Sequence, residues 1–172
     1  MKKITLNFFD FDGSLIDSPL PDNGKIRWSE HHGKPYPHLG WWGREESLDL
    51  DVFDIKPKDI AHAAYLRHSK DPSTHNYILT SRIPKLKDKL KAILDANDIQ
   101  MIEILCAKGG LTKGQQIIEL LATVESAGKT VGEINMWEDR NKEIATIEPF
   151  RVFLTSAGIT LNIYKIESDA KD

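Results

Sequence analysis

The stretch Ile4-Thr5-Leu6-Asn7-Phe8-Phe9-Asp10-Phe11-Asp12-Gly13-Ser14 decides how this chain is read. Ile4 to Phe9 is a short apolar run of the kind that forms a buried strand. Two carboxylates follow directly, two residues apart and next to a glycine. In an open α/β sheet, ligands bind beyond the carboxyl ends of the strands. A pair of acids there is costly unless a cation or a proton compensates it. The pair therefore points to metal-assisted chemistry.

Working outward, four more segments read as strands: Asn76–Thr80, Gln100–Leu105, Glu133–Trp137 and Thr160–Ile166. The first three of these are short apolar runs, which suit strands buried on both faces, and Thr160–Ile166 alternates Leu161, Ile163 and Ile166 with polar positions. Helical patterns separate them. Lys58–His68 has Pro57 near its start. Pro84–Ala96 puts Leu86, Leu90, Ile93 and Leu94 on one face. Thr112–Ser126 does the same with Ile117, Leu121 and Val124, and 140–156 is helical with a break at Pro149. Alternating strand and helix predicts an α/β, Rossmann-like core: a mostly parallel five-stranded sheet with helices on both faces. Residues 15–56 break this rhythm, with Pro19, Pro21, Pro35, Pro37 and Trp28, Trp41 and Trp42. They read as a flap or cap inserted after the first strand of a single domain spanning 1–172. The polar tail 167–172 is expected to fray.

Composition narrows the class. The 172 residues suit one domain, and 40% hydrophobic with 28% charged residues is ordinary for a globular protein. No apolar run approaches a membrane span, and Met1-Lys2-Lys3 leads into a strand without a signal-peptide core. The single Cys106 permits no internal disulfide, which fits a cytoplasmic location; its apolar neighbours suggest a buried thiol. A net charge of −3 gives no global attraction to nucleic acid, so any such contact would be local.

Four features fall at one end of the expected sheet. In Asp10-x-Asp12, one carboxylate can attack phosphorus to form an acyl-phosphate, and the other can carry a proton. Gly13 lets the chain turn away. Thr80-Ser81-Arg82 offers hydroxyl donors and a forked cation for a phosphate. Thr112-Lys113-Gly114-Gln115 is a capping-box pattern that puts Lys113 in a first helical turn, where amides and dipole already favour an anion. Glu138-Asp139-Arg140 adds carboxylates suited to a hard divalent ion, Mg2+, held near Asp10, Asp12 and Asp139. Each piece alone is commonly a turn, a cap or a solvated surface. Their joint placement at strand ends argues for a site.

These features resemble the four motifs of the haloacid dehalogenase (HAD) superfamily of phosphohydrolases, from Ile4 to about Phe153. The resemblance implies a magnesium-dependent phosphatase working through an aspartyl-phosphate. It implies Asp10 as nucleophile, Asp12 as general acid/base and contributor of a backbone carbonyl to the metal, Thr80 as phosphate-binding hydroxyl, Lys113 as stabilising lysine and Asp139 as metal ligand. A metal role for Glu138 is left open.

Ser14–Pro21, Gly40-Trp41-Trp42, Ile78–Arg82 and Trp137–Arg140 are further similar to the "Swiss Army Knife" RNA-repair-like HAD domains and to polynucleotide kinase 3′-phosphatase domains. That likeness implies that Arg82, with Ser81 directly before it, and Arg140 contact substrate. It also implies that the substrate is the end phosphate of RNA, DNA or a nucleotide. Ser14, Ser81 and Glu143 depart from that pattern, where Thr, Gly and His are usual. With no kinase P-loop or ligase lysine motif in the chain, a repair partner would be a separate protein.

Three features have plainer readings. Trp41-Trp42 could stack on a base but is expected to pin the insertion to the core. Arg82, Lys85, Lys87, Lys89 and Lys91 could meet a nucleic-acid backbone, but are expected to form a solvated helix face. His31, His32 and His38 lack the spacing of a zinc site. The alternatives to end-phosphate hydrolysis are a small-molecule phosphatase, for a sugar phosphate or free nucleotide, and a non-catalytic phosphate- or nucleic-acid-binding module.

Overall fold

The computed structural model describes residues 2–169. Strand β1 (Ile4–Phe9) lies at the centre of a five-stranded, wholly parallel sheet. It pairs on one side with β2 (Thr74–Leu79) and on the other with β4 (Val131–Glu138); β3 (Glu103–Leu105) and β5 (Thr160–Lys165) form the edges. In register, Phe9 stands between Ile78 and Trp137. The central strands therefore end together, and the loops that follow them converge.

Alternation along β1 builds two cores. Leu6 and Phe8 are buried against Ile117 and Leu121 of α4 (Lys113–Ser126), Ile147 of α5 (Asn141–Ile147) and Leu154 of α6 (Arg151–Ser156). Phe9 faces the other way, toward Ala61, Ala64 and Tyr65 of α2 (Asp59–His68) and Leu90 and Ile93 of α3 (Lys87–Ala96). An asparagine ladder crosses the sheet: Asn7 donates to Asn76, Asn135 to Asn7 and Asn162 to Asn135, each at 2.9 Å. Each amide satisfies the next, which removes the penalty of burying them.

The insertion is more regular than its sequence suggested. It contains α1 (Pro21–His32) and a 3₁₀ turn at Glu45–Leu48. Pro21 occupies the first helical turn and Gly33 closes α1 at φ 63°, two end signals the sequence carried. The helix has little apolar periodicity because Trp28 is its main buried side chain. Trp28, Trp41, Leu48 and Phe53 join the Phe9 core, so the insertion packs on the sheet face.

Other boundaries shift. β3 keeps three residues of the expected 100–105, Pro84–Leu86 is a 3₁₀ turn leading into α3, and Glu148–Phe150 makes a 3₁₀ turn at the Pro149 break. Cys106 is half-buried, not a core thiol, and burial pushes its pKa up. The expectation of a frayed tail is corrected at 167–168. There the Glu167 carbonyl accepts from Lys58 Nζ at 2.6 Å and Ser168 Oγ donates to Asp139 at 2.6 Å; residues 170–172 lie outside the described range. No described helix is long and apolar enough to cross a membrane.

Candidate active site

Asp10 sits at the carboxyl end of β1, its amide bonded to Trp137 O at 3.0 Å. The chain then turns tightly: Leu15 N returns to Asp10 O, Ile16 N to Phe11 O and Gly13 N to Ile16 O. Gly13 has φ 75°, and a Cβ there would lie 2.5 Å from Asp139 Oδ2. Only glycine satisfies both the left-handed backbone and the close carboxylate.

The Asp10 side chain is buried and doubly held. Lys113 Nζ donates to Oδ1 at 2.7 Å and Ser14 Oγ to Oδ2 at 2.9 Å. Lys113 opens α4 as the sequence pattern required. Thr112 accepts from Gln115 N at 3.1 Å and donates its own amide to Gln115 Oε1 at 2.9 Å, a complete capping box. The helix is seated by Gly114, whose Cβ would fall 2.0 Å from Thr146 O; any side chain there would push α4 away from α5. Lys113 Nζ also donates to Glu138 Oε2 at 2.5 Å.

Glu138 is fully buried. Its Oε1 accepts from the amides of Asp139 and Arg140 at 3.0 and 3.1 Å, so it holds the loop after β4 as well as the lysine. Asp10, Glu138 and Asp139 present carboxylate oxygens within 4.8 Å of one another. With all three ionised, Lys113 compensates one of the charges and negative charge is left over. Oxygen donors and that residual charge suit a divalent hard cation.

The titration behaviour follows the geometry. Burial, helped by Asp139 and Asp12 and opposed by Lys113, pushes Asp10 up to about 6. Burial and the Asp10 charge push Glu138 up to about 8. Burial opposes the Lys113 charge, but Asp10 and Glu138 outweigh it and hold the ammonium above its usual value. Burial would raise Asp139, but hydrogen bonds led by that from Ser168 hold it below the usual carboxylate range.

Asp12 and Arg82 form a separate unit. Arg82 Nε and Nη2 each donate to one Asp12 carboxylate oxygen at 2.8 Å. The Arg82 side chain is 2% exposed. Its Nη1 donates to Trp42 O at 2.5 Å and Ser47 Oγ at 2.6 Å, and the Trp42 ring lies 4.9 Å from the guanidinium carbon. The sequence reading put Arg82 on substrate; in the structure the guanidinium is taken up by Asp12 and the insertion.

Thr80 is buried at the end of β2, its Oγ1 accepting from Arg82 N at 3.1 Å, which leaves the hydroxyl proton for a ligand. Ser81 is exposed and lines a groove of about 360 Å³ with Thr112, Lys113, Gln116 and Lys142. Arg140 is the cap of α5 and does not line this groove; its Nε is buried without a hydrogen-bond partner among the described residues.

The two tryptophans separate. Trp41 is in the core, its Nε1 bonded to Pro19 O at 2.8 Å, whereas Trp42 is 38% exposed beside Arg82. In the basic run, Lys87 and Lys91 pair with Glu103 and Asp95. His38 pairs with Glu46 and His32 with Asp49, away from any metal cluster among the described residues.

Sequence reasoning missed Ser168 and Lys165, which hold the Asp139 carboxylate and carbonyl. It also missed Ser47 on Arg82. No local pattern marks them, because each reaches the site through a contact distant in sequence.

No protein-family model and no curated protein matches this sequence. Solved structures do. A haloacid dehalogenase-like hydrolase from Streptococcus pneumoniae superposes with a TM-score of 0.53 at 16% identity, covering 94% of each chain. The HAD domain of effector protein Lem4 from Legionella pneumophila gives 0.56 at 13%, covering 99% of this chain and 89% of its own. The fold is HAD-like. A protein described as a predicted phosphoglycolate phosphatase from Haemophilus somnus gives 0.50 at 12% identity, over 99% and 90% of the two chains.

Proposed function

We propose that this chain is a magnesium-dependent phosphohydrolase that cleaves a phosphate monoester through an aspartyl-phosphate on Asp10. The observation that carries the reading is the buried set in which Lys113 bridges Asp10 and Glu138 beside Asp139, at the carboxyl edge of a HAD-like sheet. Hydrolase and phosphatase neighbours of the same fold support it.

In this mechanism an Asp10 carboxylate oxygen attacks phosphorus and the bond to the leaving oxygen breaks. Asp12, as the acid, gives its proton to that oxygen. Asp12 then takes a proton from the water that attacks the aspartyl-phosphate, and Asp10 and inorganic phosphate are regenerated. Lys113 stabilises charge on the transferring group, and the Thr80 hydroxyl donates to a phosphoryl oxygen. Ser81 lines the groove where the rest of the substrate would lie, and Arg140 is given a substrate role on the motif resemblance alone. Asp10, Asp139 and the backbone of Asp12, with Glu138 close by, would hold Mg2+, which when bound offsets the carboxylate charge and orients phosphoryl oxygens.

The end phosphate of RNA, DNA or a nucleotide is the first substrate proposed, on the motif resemblance. The second is a small phosphorylated molecule. It is favoured by the placement of Arg82 on Asp12 and by the pairing of Lys87 and Lys91, which leave fewer cations for a polymer backbone.

Asp10→Asn should abolish magnesium-dependent phosphate release from a generic aryl phosphate while the fold survives; retained turnover would remove Asp10 as nucleophile. A panel of 3′- and 5′-phosphorylated RNA and DNA, mononucleotides and sugar phosphates decides between the substrate classes.

A further inference from the structure

We infer that Ser47 and Trp42 of the insertion set the position of the Asp12 carboxylate through Arg82, making Arg82 a positioning residue. The inference rests on Asp12 being the proton carrier of the proposed phosphatase.

Four of the five N–H donors of Arg82 have partners. Nε and Nη2 grip the two Asp12 oxygens in a fork at 2.8 Å, and Nη1 is shared by Trp42 O at 2.5 Å and Ser47 Oγ at 2.6 Å. The rigid guanidinium plane links these contacts, so a shift on the insertion side is transmitted to the carboxylate. Ser47 is fully buried and its own hydroxyl donates to Arg44 O at 2.7 Å. Its lone pairs are thereby oriented at Arg82. The Trp42 ring covers the guanidinium at 4.9 Å, which keeps water from competing for it. Asp12 itself follows Asp10 on a turn and is partly exposed, so Arg82 is what fixes its carboxylate. The alternative, a cation held ready for substrate, would leave the fork open.

The test is a kinetic cycle on the full chain with 2,4-dinitrophenyl phosphate, whose leaving group departs without a proton, and with an alkyl phosphate, whose leaving group needs one. Ser47→Ala should lower kcat on the alkyl ester by about tenfold or more with KM little changed, the scale expected for a lost positioning contact. Phosphoryl transfer from the dinitrophenyl ester, followed as released phenolate in a single turnover, should change by less than about twofold. In an Asp12→Asn background, Ser47→Ala should have no further effect on the residual rate with the alkyl ester. Arg82→Lys, which keeps the charge but loses the fork, should not restore the alkyl-ester rate.

Equal losses on both esters, or effects that multiply in the Asp12→Asn background, would overturn the coupling. So would full activity of Arg82→Lys. Wild-type chain inactive on both esters would overturn the phosphatase reading and the inference with it. An active wild type with an additive cycle overturns the inference alone. Because Ser47→Ala only removes atoms, matched melting curves separate a folding defect from a kinetic one.

Discussion

Replacing Lys113 with Met removes the cation that bridges Asp10 and Glu138 and leaves a side chain of similar length. Nζ lies 2.7 Å from Asp10 and 2.5 Å from Glu138, and the lysine is 6% exposed. Removing one partner from such a buried pair costs roughly 3–5 kcal/mol, because the remaining charge stays buried. For a chain of this size that corresponds to a fall in Tm of roughly 10 °C.

The cost should depend on pH. Both acids already have folded pKa values above their usual ones, from 3.8 to about 6 for Asp10 and from 4.5 to about 8 for Glu138. An acid raised in this way contributes stability below its unfolded pKa, and that contribution is lost as pH rises through the folded value. The window therefore runs from about 4 to about 8 in metal-free protein. Without Lys113 both groups move higher still. At about pH 5 they can take up protons and the penalty shrinks; at about pH 8 more of it is expressed. Urea unfolding in chelator should show Lys113→Met less stable than wild type by roughly 3–5 kcal/mol at the higher pH and by at least about 2 kcal/mol less at the lower. An equal loss at both pH values would refute the assignment of Lys113 as counter-charge to this pair.

Other substitutions probe separate links. Ser168→Ala removes the 2.6 Å hydrogen bond to Asp139 and should raise the Mg2+ concentration for half-maximal activity by roughly tenfold; an unchanged Mg2+ titration would contradict it. Gly13→Ala places a methyl 2.5 Å from Asp139 Oδ2 at φ 75° and should abolish activity, with activity close to wild type as the contrary result. Asn7→Ala opens the asparagine ladder at its middle and leaves Asn76 Oδ1 unpaired; urea unfolding should show a loss of roughly 2–4 kcal/mol, and a loss below about 0.5 would speak against the ladder.

Much of the core was legible because its signals are local. Apolar runs marked the strands. The acids after Phe9 fell at a strand end because buried parallel strands stop where polar residues begin. Thr112 and Gln115 announced the helix that carries Lys113, and the structure closes both hydrogen bonds of that box.

The insertion was read as irregular because α1 buries little beyond Trp28, so its apolar periodicity is faint, although Pro21 and Gly33 marked both ends. Arg82 was adjacent to Thr80 in sequence and looked free for a ligand. Its partners, Asp12, Trp42 and Ser47, lie 35 or more residues away, and only the folded chain brings them to it. Ser168 was hidden for the same reason, in a polar tail whose contact with Asp139 depends on β5 lying beside β4. The asparagine ladder left no local signal, because only the parallel register aligns the four side chains.

The most direct measurement traps the intermediate. Wild-type chain is mixed with a phosphate monoester labelled on phosphorus in the presence of Mg2+ and quenched in acid during turnover; one portion is counted for protein-bound label, and a second is reduced with borohydride, which expels the phosphate, and mapped by peptide mass spectrometry. A nucleophilic Asp10 predicts protein-bound label in the first portion, homoserine at position 10 in the second, and neither in Asp10→Asn. Label on another residue, or turnover that persists in Asp10→Asn, would contradict it.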